Sequence, residues 1–175
     1  GDLLPHARQG RYADFLTEYL GPQLHELKSR MADEYPFIGL ILGNDDPRNF
    51  EPSARWGEDN KLWHYLHFRR KNLGPYDIVG YACVPPTPFL LKDWERYDVS
   101  RFTDPGSIPP SEGIHTAEPP AGETADNTIQ ADIERLNAGG DPARTLFLFH
   151  APPYQTDLDR AGLDGKYYEG VPLDV

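Results

Sequence analysis

The stretch "FIGLILGNDDPR", Phe37 to Arg48, decides how the rest of the chain is read. An apolar run stops at Gly43, and Asn44, Asp45 and Asp46 follow with no hydrophobic residue among them. From Tyr35 to Leu42 the run is too short for a typical helix and is flanked by breakers, which predicts a strand buried on both faces. Beyond it stands either a turn, since Asn and Asp bond readily to their own backbone, or a strand end that delivers polar side chains to a site. The stretch alone leaves both readings open.

On its N-terminal side, Arg11 to Met31 reads as a helix. Tyr12, Phe15, Leu16, Tyr19, Leu20, Leu24 and Leu27 recur mostly three and four apart, and Gly21-Pro22 is placed to kink or divide it. On the other side, Leu62 to Arg70 and Tyr76 to Val84 read as strands joined by a turn at Asn72-Leu73-Gly74-Pro75. From Pro85 through Ala125 eight prolines mark a long loop. Asp126 is placed to cap a helix whose apolar face is Ile129, Ile133 and Leu136, and Gly139-Gly140 ends it. The run "TLFLF", Thr145 to Phe149, repeats the opening pattern: a short buried strand that stops at His150. Helix, strand, hairpin, helix, strand is the order of an α/β domain, in which ligands gather beyond the carboxyl ends of the strands. Asn44 and His150 both occupy such ends.

The 175 residues suit one domain, and a compact fold of this length buries roughly 70% of the surface its unfolded chain exposes. A net charge of −11 opposes binding to duplex nucleic acid unless cations intervene. No apolar run approaches the ~20 residues of a membrane helix, and no signal sequence is recognisable at the start. The single cysteine, Cys83, excludes an internal disulfide and suits a reducing compartment, so a cytoplasmic location is expected; it reads as a small core residue.

Gly1-Asp2, then "GNDD" from Gly43, then "LFLFHAPPY" carrying His150, resemble in order the middle motifs of the calcineurin-like metallophosphoesterases. The wider text of "VPPTPFLLKDWERYDVSR" and "HAPPYQTDLDRAGLDGK" is similar to an uncharacterised branch of that family. The resemblance implies a layered α/β/β/α sandwich, two sheets face to face with helices outside. It also implies two divalent metal ions, with Mn²⁺, Fe or Zn²⁺ suited to mixed oxygen and imidazole donors. By the same resemblance Asp2 corresponds to the carboxylate bridging the ions, Asn44 to an amide-oxygen ligand of the second ion, and His150 to an imidazole ligand of that ion. The implied reaction is hydrolysis of a small phosphomonoester or phosphodiester by a metal-bridged hydroxide.

The sequence departs from the family pattern at two places. Asp45 stands where the family has a histidine that contacts phosphate, and an aspartate beside two cations stays ionised and is a poor general acid. Either another group supplies the proton, the leaving group needs none, or Asp45 turns away to orient Asn44. Asp46 matches the acidic end of the motif and is expected to support the ligands from behind. The family's first motif, Asp-x-His, and its last, Gly-His-x-His, are not found between Gly1 and Val175, so the chain is expected to be an internal fragment of a single domain and incompetent as an enzyme by itself.

Other residues carry less. His64 and His67, three apart in a strand, would face opposite ways and not share a metal. His6 could reach the edge of the site, while His25 and His115 are expected in solvent. Trp56, Trp63 and Trp94 are expected in the core, "VPPTPF" from Val84 to Phe89 could wall a cleft, and Arg160 is expected to pair with Asp157. A rival reading is a phosphoesterase-like fold kept as an inert protein-interaction module; a third is an α/β domain whose strand-end polar residues only form turns. The oligomeric state is not legible.

Overall fold

Asp14 starts the first helical segment: its carboxylate accepts from the amides of Leu16 at 3.0 Å and Thr17 at 3.2 Å, donors that a helix's first turn leaves without partners. The structure is a computed structural model that describes residues 2–5, 12–120, 123 and 127–158, and the backbone of 167–168 and 171–172. A π-helical turn, Leu16–Leu20, runs into α1, Gly21–Met31. The expected break at Gly21-Pro22 is thus a change of helical winding. Pro22 sits in the first turn of α1, at the change of winding, and Lys28 and Arg30 complement the other end.

The predicted strand over Tyr35 to Leu42 shrinks to β1, Gly39–Leu40. Leu40 and Leu42 are buried, but Ile38 and Ile41 are only half-buried. The run's composition asks for cover on both faces, and the described residues supply it mainly on one. Helix α2, Glu51–Asp59, follows the Asn44 turn, and β2, His64–Tyr65, pairs parallel with β1. A hairpin forms where one was expected, but from other limits. The strand expected over Leu62 to Arg70 divides into β2 and the start of β3, Arg69–Leu73, which takes in Asn72 and Leu73 of the expected turn. It pairs with β4, Tyr76–Tyr81, with Gly74 in the left-handed conformation (φ +62°) that the turn requires.

Helix α3, Ile129–Asn137, has the predicted apolar face: Ile129, Ile133 and Leu136 pack on Tyr81, Cys83, Phe68 and Phe149. Its cap is Thr128, whose hydroxyl accepts from the Ala131 amide; Asp126, the expected cap, lies outside the described residues. β5, Thr145–Phe149, pairs parallel with β4, from Asp77 opposite Thr145 to Tyr81 opposite Phe149. It is not the buried strand expected, because it lies at the sheet edge among the described residues and leaves Leu146 and Phe147 about half exposed (49% and 45%). A last antiparallel pair, β6, Tyr167–Tyr168, with β7, Val171–Pro172, closes the order.

The described chain is therefore mixed α/β, with three α-helices and small, open sheets. A parallel bridge from His67 to Gly80 carries one strand direction from β1 and β2 through to β4 and β5. The carboxyl ends of β1 and β5 consequently face the same way, which places residues 43–46 and 150 together. The main core lies beneath them, built from Leu16, Leu40, Leu42, Leu62, Trp63, Tyr65 and Trp94. No helix among the described residues is long and apolar enough to cross a membrane.

Candidate functional site

Three segments distant in sequence meet at these strand ends. The His150 ring nitrogen Nε2 lies 2.8 Å from Asn44 Oδ1 and 3.6 Å from Asp2 Oδ1. The Asp45 amide donates to the same Asp2 oxygen at 2.9 Å. Gly43 makes the approach possible, since a Cβ there would overlap Asp2 Oδ1 and lie 2.7 Å from His150 Cε1. Asp2, Asn44 and His150, singled out from the sequence, are thus neighbours in space.

Asp46 explains how the cluster holds. Its fully buried carboxylate accepts from the amides of Gly43 at 2.7 Å, Leu3 at 2.9 Å and Leu4 at 2.7 Å. One side chain therefore closes the Gly43–Asp46 turn and fastens the segment that carries Asp2. Burial raises the Asp46 pKa, and the three amide donors oppose that rise. Asp45, by contrast, is exposed, and its contact with the cluster is through its backbone.

Electrostatics favour ligation by His150. Burial lowers its pKa, with the Asp2 carboxylate acting in the opposite sense, so the imidazole is neutral at neutral pH, the form that binds a cation. Two donors on adjacent positions of one first-row cation, each about 2.1 Å from it, lie about 3 Å apart. The 2.8 and 3.6 Å separations bracket that value, and the carboxylate, amide and imidazole are hard-to-borderline donors that fit such an ion. Among the described residues no three His, Cys, Asp or Glu side chains gather to hold a metal ion, so the set depends on the amide oxygen of Asn44 as its third member.

The other expectations sort as follows. His67 is buried, its Nδ1 accepting from the Ala82 amide at 3.1 Å and its Nε2 lying 3.3 Å from Glu123, while His64 stacks on Phe37; the two share nothing. His25 and His115 are exposed, and His6 and Arg160 lie outside the described residues. Trp63 and Trp94 are in the core, but Trp56 stays 38% exposed. Cys83 is buried, and burial pushes its thiol up to about 11.

Sequence reasoning missed a buried ionic layer behind the turn. Lys92, Asp93, Glu95 and Arg96 are each at most 6% exposed, in a segment read as a loop. Each finds a partner: Lys92 bonds Glu95, Asp93 takes the Arg48 amide, and Arg96 bonds Asp132 at 2.7 Å. Glu123 joins the layer from the far end, 3.1 Å from Arg48 and 3.6 Å from Arg96. The one signal was "KDWER" itself, opposite charges packed around a tryptophan amid prolines. Charge runs usually face solvent, so that signal points nowhere without the partners.

No protein-family model, curated protein or solved structure matches the chain.

Proposed function

We propose that this chain carries part of the metal site of a phosphoesterase, of the calcineurin-like type that its motifs resemble, within a layered α/β/β/α sandwich. The convergence of Asp2 Oδ1, Asn44 Oδ1 and His150 Nε2 from three separate segments carries the reading. Divalent cations such as Mn²⁺, Fe or Zn²⁺ would supply the nucleophilic oxygen and offset charge on a small phosphate ester. The chain's own part is to aim the three donors, with Asp46 fixing two of the segments. Two ions need more donors than these three, so the proposal requires ligands from outside the described residues.

Titration calorimetry with Mn²⁺, paired with turnover of p-nitrophenyl phosphate and its diester by the full-length protein, tests this. Binding and turnover that both disappear in Asn44→Ala and His150→Ala are expected. A folded wild-type protein that takes up no Mn²⁺, Fe²⁺ or Zn²⁺ ends the metal reading.

Two observations favour a second reading, an inert interaction module. Asp45 presents an exposed carboxylate where a phosphate would approach, and Phe89, Leu90, Phe102 and Ile114 stand 57–67% exposed on the proline-rich segment. Metal-free, inactive protein would support it.

A further inference from the structure

The Asn44 turn is held from one side by β1. Its other stem, residues 46 to 49, is held by atoms of the proline-rich segment. The Trp94 indole N–H donates to the Asp46 carbonyl at 2.6 Å. The Asp93 carboxylate accepts from the Arg48 amide at 2.7 Å, from the Thr116 amide at 2.8 Å and from the Thr116 hydroxyl at 2.5 Å. The Thr116 hydroxyl in turn accepts from the Asn49 amide at 3.0 Å. The Asp93 carbonyl takes two bonds from the Arg48 guanidinium, at 3.2 and 3.0 Å, and that guanidinium lies 4.0 Å over the Trp94 ring.

Simple packing would not need this pattern. Backbone groups of three residues, Asp46, Arg48 and Asn49, are each met by a side chain from a segment more than 40 positions away. Asp93 and Trp94 are buried, so water does not replace a lost partner there. Backbone fixed at 46, 48 and 49 leaves little freedom at Asn44, two residues from the first of them.

We infer that Asp93, Trp94 and Thr116 are positioning residues for the Asn44 turn, making the proline-rich segment one jaw of the candidate site. The inference rests on the phosphoesterase reading for its ligand, a divalent cation, and on geometry alone for the clamp. A proline-rich connection read as a loop is then part of the ligand-binding apparatus.

Two variants test it: Trp94→Phe, which removes the indole donor, and the milder Thr116→Val, which keeps shape while removing the hydroxyl. Amide hydrogen exchange and Mn²⁺ titration are the readouts. We expect exchange across residues 43–46 to accelerate at least about tenfold while α3 is unaffected, and Mn²⁺ affinity to fall about tenfold or more, as for groups that orient metal ligands. Unchanged exchange at 43–46 in both variants, or acceleration spread evenly through the molecule, overturns the clamp. So does local acceleration with undiminished Mn²⁺ affinity. A wild-type protein that binds no Mn²⁺ sinks the metal reading, and local acceleration then still upholds the clamp. Tight Mn²⁺ binding by wild type and both variants sinks the clamp and leaves the metal reading standing.

Discussion

Gly43 is the residue on which the approach of Asp2 and His150 turns, because neither can come as close to a side chain as they come to a bare Cα. Gly43→Ala should keep the fold, since the nearest atoms are side-chain ends of Asp2 and His150 and the Asp2 backbone at 3.1 Å need yield only slightly, yet separate the donors. We expect a loss of Mn²⁺ affinity of about tenfold or more, with a melting temperature close to wild type; equal affinity would show that the donors do not act together. At this scale the sequence was informative where polarity changed abruptly. Asn44 and His150 end apolar runs, and such ends collect in α/β folds, so their meeting was anticipated from position alone. The supporting role of Asp46 was expected only through the resemblance. That its carboxylate would bind amides some forty residues back, at Leu3 and Leu4, has no local signature.

Among the elements, the proline-rich segment departs furthest from its sequence reading. Glu123 anchors its far end, and the state of that carboxylate is set by opposing effects. Burial alone would raise its pKa, but the hydrogen bond from the neutral His67 ring, whose Nδ1 is taken by the Ala82 amide, and the Arg48 guanidinium outweigh burial and hold it at about 2. The folded value lies below the unfolded one, near 4.5. The anchor therefore stabilises the fold fully above the unfolded value and is lost as pH falls through about 2. The stability difference between wild type and Glu123→Gln, measured by urea unfolding, should be constant near neutrality and shrink on acidification below pH 4.5. A difference that grows on acidification would place the anchor elsewhere. Helices α1 and α3 and the hairpin turn were legible because their periodicity and turn chemistry are local, as with the 129/133/136 face and Gly74, whereas α2 was not read from the sequence. The extent of β1 was not legible, nor the burial of β5, whose limits Thr145–Phe149 came out as expected, because both depend on neighbours that composition does not reveal.

For the molecule as a whole, two features compete. Its net charge of −11 keeps copies apart, while the exposed Leu146 and Phe147 on β5 invite edge-to-edge contact. Salt screens the first and leaves the second, so self-association should rise with ionic strength. Sedimentation at low and high salt should show this for the wild type and not for Phe147→Lys; salt-independent sedimentation of the wild type would mean the strand is covered. Charge and class were readable from composition, since neither depends on which residues touch. The joining of the small sheets was not, because among the described residues it runs through one isolated bridge, His67 to Gly80, at a point where the sequence shows nothing unusual.

The bond between Asn44 and His150 spans 106 residues of sequence. During synthesis the turn leaves the ribosome long before its histidine partner is made, and closing so long a loop is slow. Until then Asn44 waits without its imidazole. Under the proposed metal reading, a cation would be gripped only after β5 has docked.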